Sequence, residues 1–250
     1  MGLVDIFDKD RLKPTERDDD GKVVDTDAFS LELGPAAIKS IPRVSGMLYD
    51  DRTEAIMVTP EGKVIYNVNE GHYPGQVKIR EVAALRANSN DVSNTWAEFG
   101  VELGRSAFFL SHYLPEAGEF FLFDSFEGLP EDWALADDNV RPGAAWACDV
   151  PSFEDPRLVV VPGWFDDTLP HEPMFGPLGL IHIDCDLYSS TKTVLERLDE
   201  QIVPRTVILF DEFWGYPNWR DGEYKALMEW HREFTYLARD TKYRVLIEVI

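Results

Sequence analysis

The sequence contains only two cysteines among its 250 residues, Cys148 and Cys185. They are too few for a disulfide framework and lack the spacing of metal ligands. No apolar run approaches the ~18 residues of a membrane span. The first residues lack the basic and apolar regions of a secretory signal, and Ile6 does not fit a myristoylation motif. We therefore expect a cytoplasmic protein with no membrane as a partner.

Basic residues are also scarce, since 24 Lys and Arg stand against 46 Asp and Glu and leave a formal net charge of −22. A chain this acidic repels phosphate backbones, and it has no basic stripe with interleaved aromatic residues. Nucleic acid is therefore not expected as a partner. The same balance favours cationic ligands and metal ions. Hydrophobic residues make up 44% of the chain, which is enough for a sizeable core.

After about residue 95, apolar runs alternate with amphipathic segments. We predict strands near residues 96–101, 119–124, 157–162, 178–184, 206–211 and 243–250, and helices near 104–113, 189–202 and 222–234. Continuous apolar strands separated by helices indicate an α/β fold, with a mainly parallel twisted sheet and helices on both faces. Ligands of such sheets bind beyond the carboxyl ends of the strands, so we expect the functional site at that edge.

The preceding residues, 1–92, have a mixed pattern. Residues 54–60 and 63–68 are strand-like and flank Glu61-Gly62, which predicts a β-hairpin. A helix is predicted over residues 76–88. We therefore expect an N-terminal extension over 1–92 and the α/β domain over 93–250.

The first predicted strand of the α/β domain runs into Glu98-Phe-Gly100-Val-Glu-Leu-Gly104, an E-x-G-x-x-x-G turn that opens a helix. Glycines let the backbone pass close to a ligand, and a helix N-terminus supplies free N–H groups. A purely structural turn is the alternative. Asp124 ends the second strand roughly 20 residues beyond Gly104, at the position where a carboxylate accepts the hydroxyls of a ribose. The pair predicts a cofactor that contains a nucleoside.

The spacing of this turn bears on which cofactor is bound. A dinucleotide needs a tight G-x-G-x-x-G turn to seat its pyrophosphate, and that spacing is missing. S-adenosylmethionine carries no phosphate, and its sulfonium and ammonium charges suit Glu98 and an acidic chain. S-adenosylmethionine is therefore the predicted cofactor.

Two pairs of acids follow the later strands, Asp184 with Asp186 and Asp211 with Glu212. If the two strands are neighbours, Asp184, Asp211 and Glu212 converge as oxygen ligands and repel one another unless a cation joins them. Mg²⁺, which prefers six oxygen ligands, is the ion that they predict. Helix caps and ordinary exposed acids are the alternatives, and Asp186 is also placed to cap the helix that begins near Ser189.

Four motifs occur in the order and spacing of a known family. They are FDSFEGLP at 123–130, VPGWFDDTLP at 161–170, IDCDLYSST at 183–191 and LFDEF at 209–213. Together they resemble the macrocin O-methyltransferase-like family, whose members are S-adenosylmethionine-dependent and metal-dependent sugar O-methyltransferases of class I. The resemblance covers about residues 93–232.

The resemblance implies a Rossmann-like methyltransferase domain that binds S-adenosylmethionine over the first two strand ends. The cofactor-binding residues that it implies are Glu98, Gly100, Gly104, Asp124, Ser125, Trp164 and Asp184. The implied Mg²⁺ ligands are Asp184, Asp211 and Glu212, the last at a position where the family more often has Asp. Residues 1–90, with their hairpin, do not match the family segment that we would expect there, and such a region often contacts substrate or other subunits. A homo-oligomer is therefore compatible with the sequence.

The predicted reaction transfers a methyl group from S-adenosylmethionine to a hydroxyl of a small molecule, such as a sugar or another natural-product intermediate. An alcohol is a poor nucleophile, and a metal that coordinates its oxygen lowers the pKa of the hydroxyl and aligns it with the methyl group. Asp184 is the predicted catalytic residue, both as a metal ligand and as the acceptor of the hydroxyl proton.

A different class of enzyme is suggested by Tyr188-Ser-Ser-Thr-Lys192, which matches the Y-x-x-x-K motif of short-chain dehydrogenases. The alternative function is therefore an NAD(P)-dependent oxidoreductase that uses Tyr188 and Lys192. Such enzymes also need a glycine turn near the N-terminus and a serine on the preceding strand. Here the turn lies near residue 100 without its last glycine, and residues 175–184 contain no serine. We favour the methyltransferase.

Overall fold

The structure is a computed structural model that describes residues 29–33, 57–58, 63–66, 74–136, 139–169, 175–239 and 243–250. Within these residues, ten strands form one sheet in the order β2-β3-β1-β11-β12-β10-β9-β4-β5-β8. They are β1 (Phe29–Leu33), β2 (Met57–Val58), β3 (Lys63–Tyr66), β4 (Thr95–Phe99), β5 (Glu119–Asp124), β8 (Leu158–Pro162), β9 (Leu180–Ile183), β10 (Val207–Phe210), β11 (Phe234–Arg239) and β12 (Val245–Val249). Two further strands, β6 (Trp133–Ala136) and β7 (Asn139–Arg141), form a separate ribbon.

The helices are α1 (Pro74–Asn90), α2 (Arg105–Ser111), α3 (Phe165–Thr168), α4 (Tyr188–Arg197) and α5 (Glu223–Glu229), with a 3₁₀ turn at Trp219–Asp221. None of the helices in the described part of the chain is long and apolar enough to cross a membrane.

The centre of the sheet is parallel, as predicted. Strands β8, β5, β4, β9 and β10 are parallel neighbours, and Trp96 of β4 pairs with Phe120 of β5 and Leu180 of β9. Beyond β10, the pairings of β12, β11 and β1 are antiparallel. The parallel core with helices confirms the predicted fold class, and the antiparallel strands extend it on one side.

The apolar strands are buried on both faces. In β10, Val207 and Leu209 belong to one core cluster, whereas Ile208 and Phe210 belong to the other. The first cluster includes residues of α1 and α2, and the second includes residues of α4 and α5. Because successive side chains of a strand point to opposite faces, a run without polar residues requires a cover on each side, which these helices provide.

The helix predicted over 222–234 was wrong at its C-terminal end. Helix α5 ends at Glu229, and Phe234–Arg239 forms β11, which pairs with β12 and β1. Thr235 and Tyr236 favour strands, and pairing with β12 decides the conformation of the segment.

The N-terminal strands continue the sheet. Strands β2 and β3 pair antiparallel with Val58 opposite Val64, as expected for a hairpin, while Glu61-Gly62 lies outside the described residues. Strand β1 joins β3 to β11. Helix α1 packs on the central sheet through Ile79 and Val82. The division of the chain near residue 92 and the role of the extension stay predictions.

Candidate functional site

A cavity of about 650 Å³ opens at the carboxyl edge of the parallel strands. Six of the nine predicted cofactor and metal residues line it, namely Gly100, Asp124, Ser125, Trp164, Asp184 and Glu212. The other three, Glu98, Gly104 and Asp211, are not part of its wall. The structure therefore brings most of the predicted site to one cavity, and the ligands of these residues stay a prediction.

The glycine turn depends on two left-handed residues. Gly100 has φ +88°, and a Cβ atom there would overlap the backbone carbonyl oxygen of Asp184. Gly104 has φ +72° and a Cβ atom there would overlap the ring of Phe153. Gly100 thus lets the turn after β4 lie against the end of β9, whereas Gly104 admits Phe153 at the start of α2.

Asp124 fixes this turn through its carboxylate. Its Oδ2 accepts hydrogen bonds from the backbone N–H groups of Val101 (2.7 Å) and Glu102 (2.9 Å). Its Oδ1 accepts one from the N–H of Phe126 (2.8 Å). Since a carboxylate oxygen accepts more than one hydrogen bond, Asp124 still has acceptor capacity toward the cavity. Ser125 orders the same loop by donating a hydrogen bond to the carbonyl of Gly128 (3.0 Å).

Glu98 lies behind the cavity wall. It is fully buried, and its Oε1 accepts a hydrogen bond from the hydroxyl of Ser106 (2.7 Å), which does line the cavity. Its Oε2 lies 3.2 Å from Nδ1 of His182, which makes an ion pair when the imidazole is protonated. Glu98 is thus separated from the cavity by the wall that includes Ser106, and its contact with a cofactor stays a prediction.

Asp211 is buried in a cluster of cationic groups. Arg244 donates to it in a fork, from Nε to Oδ1 and from a terminal nitrogen to Oδ2, each at 2.8 Å. Arg80 donates to Oδ1 at 2.7 Å, and Nε2 of His182 lies 3.3 Å from the same oxygen. Burial opposes ionisation of Asp211, but Arg80 and Arg244 outweigh it and hold the pKa of this carboxyl well below its usual range.

His182 lies between the carboxylates of Glu98 and Asp211. It belongs to the apolar strand β9, and its imidazole is fully buried. Burial lowers the pKa of His182, but the contacts with Asp211 and Glu98 outweigh burial and raise it to about 9. His182, Asp184 and Asp211 each place one potential ligand atom within 4.8 Å of the others. A protonated imidazole has no lone pair for a metal. His182 faces Asp211 with Nε2 and Glu98 with Nδ1, and the contact of Nδ1 lacks hydrogen-bond geometry.

The acids at the ends of β9 and β10 repel one another. Burial and the charge of Asp211 raise the pKa of Asp184 to about 6. Burial and neighbouring carboxylates raise the pKa values of Asp186, Glu212 and Glu223 well above the ordinary values. Oε2 of Glu212 and Oε1 of Glu223 are buried without a hydrogen-bond partner among the described residues. Such oxygens are costly unless a proton or a cation joins them.

Asp186 does not cap the following helix. The N-cap of α4 is Leu187, and no side chain makes a capping hydrogen bond there. Asp186 instead has φ +64° and lines the cavity. The capping alternative for Asp186 was therefore wrong.

Tyr188 and Lys192 lie outside the cavity wall. The Tyr188 hydroxyl donates to Oε2 of Glu229 at 2.6 Å and accepts from Nζ of Lys192 at 3.1 Å. Ser189 and Thr193 of the same helix do line the cavity. Tyr188 and Lys192, the two residues that the oxidoreductase alternative requires, therefore do not line the cavity.

Two tryptophans reach the cavity, of which Trp164 was predicted as a cofactor-binding residue and Trp146 was not. Trp146 and Trp164 line it, and the ring of Trp146 lies 6.1 Å from that of Trp133 in the ribbon. The loop after Glu212 also contains aromatic residues. Tyr216 and Trp219 of that loop are buried and are not part of the cavity wall.

Solved structures define the fold class of this chain. It is similar to calicheamicin methyltransferase CalS11, with a TM-score of 0.59 and 21% identity over 72% of this chain and 80% of that one. Its fold is that of the class I O-methyltransferases. The model of the Macrocin-O-methyltransferase (TylF) family matches residues 75–234, and the chain therefore belongs to the macrocin-O-methyltransferase family.

Two relatives share part of this chain. An "8-demethyl-8-(2,3-dimethoxy-alpha-L-rhamnosyl)-tetracenomycin-C 4'-O-methyltransferase" from Streptomyces olivaceus is 32% identical over 50% of this chain and 55% of its own length. A "Demethyldecarbamoylnovobiocin O-methyltransferase" from Streptomyces niveus is 32% identical over 36% of this chain and 34% of its own length. The chain thus spans about half of the first relative and a third of the second.

The turn after β4 generates a stability prediction. Gly100→Ala should lower the free energy of unfolding by about 2 kcal/mol or more, because it forces a left-handed alanine against the Asp184 backbone. Gly176→Ala is the matched control, since a Cβ atom at Gly176 meets nothing within 4 Å. Urea unfolding of both variants measures the difference, and equal effects would contradict the geometry described for Gly100.

Proposed function

We propose that this chain transfers a methyl group from S-adenosylmethionine to a hydroxyl of a small molecule, such as a sugar or another natural-product intermediate, with the help of Mg²⁺. The observation that carries the proposal is the single cavity that joins Gly100 and Asp124 to Asp184 and Glu212 in a member of this family. The predicted cytoplasmic location, the homo-oligomer and the exclusion of nucleic acid as a partner stay predictions.

The charge of the cavity supports the cofactor. Seven carboxylate side chains line it against two guanidinium groups, those of Arg80 and Arg105. Such a wall attracts the sulfonium and ammonium groups of S-adenosylmethionine and disfavours a pyrophosphate. Asp124 lies where its remaining acceptor capacity suits ribose hydroxyls, and Trp164 offers a ring face for the adenine.

The carboxylates suit a divalent cation. Asp184 and Glu212 line the cavity, and the buried Oε2 of Glu212 has no hydrogen-bond partner among the described residues. Mg²⁺ prefers oxygen ligands, and carboxylates with few neighbouring cations supply them. Asp184, Asp211 and Glu212 would hold the ion, although Asp211 already accepts from Arg80 and Arg244. When bound, Mg²⁺ would lower the pKa of the acceptor hydroxyl.

The protein itself supplies the alignment and the proton acceptor. The glycine turn and Asp124 would hold the cofactor close to the acids after β9 and β10, since Gly100 lies against the Asp184 backbone and these residues line the same cavity. An acceptor hydroxyl held by these acids beside the cofactor would react within one complex, which would remove most of the entropic barrier to transfer. The carboxylate of Asp184 is the proposed acceptor of the hydroxyl proton.

The first prediction of this function concerns the cofactor. S-adenosylhomocysteine should bind in calorimetric titrations and NADH should not. Asp124→Ala should weaken that binding by about 1–3 kcal/mol, because it removes a charged acceptor. Glu127→Ala, an exposed acid of the same loop, is the control. Binding of NADH without a response to S-adenosylhomocysteine would refute the proposal. Since Asp124 also fixes the turn, thermal unfolding of the variant should be measured alongside.

The second prediction concerns the metal. Removal of divalent ions by a chelator should lower methyl transfer about a hundredfold or more, and added Mg²⁺ should restore it, since activation and alignment of the hydroxyl fail together. Glu212→Gln should have a similar effect on turnover while leaving S-adenosylhomocysteine affinity unchanged, and the exposed Asp221→Asn should behave as wild type. A rate of methyl transfer that the chelator leaves unchanged would show that the reaction does not depend on a metal ion bound to these acids.

The third prediction concerns the charge of the acceptor. A wall with seven acidic side chains against two guanidinium groups disfavours the diphosphate of a nucleotide-activated sugar and admits the same sugar attached to an uncharged group. A panel of sugars should therefore be methylated as uncharged glycosides and not as nucleoside diphosphate derivatives, as measured by product formation. Equal rates with both forms of one sugar would contradict the electrostatic argument.

A further inference from the structure

Arg80 occupies a position that neither the glycine turn nor the family motifs indicated. It belongs to α1, lines the cavity, and its side chain is only 12% exposed. One terminal nitrogen lies 2.7 Å from Oδ1 of Asp211 and 3.5 Å from Oδ2 of Asp184. A guanidinium group thus lies against two of the three carboxylates that are proposed to hold a cation.

Asp211 has a stronger partner than Arg80. Arg244 contacts both oxygens of Asp211 and is 4% exposed, which is the forked arrangement that stabilises a buried carboxylate most. In contrast, Nε of Arg80 is buried without a hydrogen-bond partner among the described residues. Asp211 therefore keeps its forked ion pair with Arg244 if Arg80 moves away. Arg80 would leave a position in which its Nε has no hydrogen-bond partner among the described residues.

Among the described residues, Arg80 is the nearer of the two cationic groups that contact Asp184. The other is His182, whose Nε2 lies 4.0 Å from Oδ2 of Asp184. Asp184 faces the cavity beside Glu212, and Oε2 of Glu212 lacks a partner among the described residues. A divalent cation that bound these two carboxylates would lie close to the Arg80 guanidinium, and like charges at this range repel strongly in a buried site.

We propose that Arg80 is a tethered counter-ion of this carboxylate cluster, and that a divalent cation displaces its guanidinium from Asp184 in order to bind. The inference rests on the proposed function in one respect, namely that these carboxylates bind a cation. Metal binding is then an exchange of one positive group for another. Arg80 limits the affinity for the ion and keeps the cluster neutralised when no ion is bound.

The test measures metal binding directly, without cofactor or acceptor. Mn²⁺ serves as the paramagnetic probe for the Mg²⁺ site, and free Mn²⁺ is measured by electron paramagnetic resonance during titration of the full chain. Arg80→Met should bind Mn²⁺ about tenfold more tightly than wild type, or better, because the competing charge is gone. Arg80→Gln, a second variant without the charge, should also bind Mn²⁺ more tightly than wild type.

The control variant is Arg86→Met on the same helix. Arg86 forms its ion pair with Glu248 at 2.6 Å, so this variant changes the net charge by the same amount at a site that is not part of the cavity wall. It should bind Mn²⁺ as wild type does. A gain shared by Arg86→Met and Arg80→Met would reflect net charge alone and would overturn the inference.

Two other outcomes distinguish a failure of this inference from a failure of the proposed function. If wild type binds Mn²⁺ and folded Arg80→Met binds it equally or less tightly, the inference is wrong and the proposed cation site survives. If no variant binds Mn²⁺, the cation part of the proposed function fails and the inference fails with it. Circular dichroism shows whether Arg80→Met folds, and if it does not, Arg80→Gln decides by the same criterion.

Discussion

The forked ion pair between Asp211 and Arg244 is the contact on which the rest of the site depends. Both side chains are almost fully buried, and an unpaired charge at either position would be strongly destabilising. The pair joins the end of β10 to the start of β12. From Asp211, His182 on β9 reaches Glu98 on β4, and Glu98 reaches Ser106 on α2. One line of polar contacts thus crosses the carboxyl edge of the sheet and fixes its strands relative to one another.

This line of contacts explains how so many acids lie side by side. The charges of Asp211 and Glu98 are compensated by cations that the protein supplies, whereas Asp184 and Glu212 face the cavity with less compensation. The cavity is therefore a region of negative potential with fixed walls, which suits a positively charged methyl donor and a divalent ion. The glycine turn brings the donor side of the cavity against the end of β9.

Much of this arrangement could be predicted from the sequence, and the failures have physical causes. The parallel strands follow from apolar runs, and Asp124, Asp184 and Glu212 follow from their places at strand ends. Strand β11 was missed because tertiary pairing, not local pattern, decides its conformation. Arg80 and Arg244 were missed because they meet Asp211 from 131 and 33 residues away, with no local motif. Glu98 and Asp211 of this network were predicted as site residues, whereas the role of His182, a polar residue inside an apolar strand, was not.

A double-mutant cycle on Asp211 and Arg244 tests most directly whether their ion pair organises the site. If the ion pair organises the site, Asp211→Asn and Arg244→Met should each lower the free energy of unfolding by about 3–5 kcal/mol, because each leaves a buried charge with too few partners. The double variant should lose less than the sum of the two losses, with a coupling of about 1–3 kcal/mol. Losses that add within about 0.5 kcal/mol would show that the two residues act independently and would contradict the account.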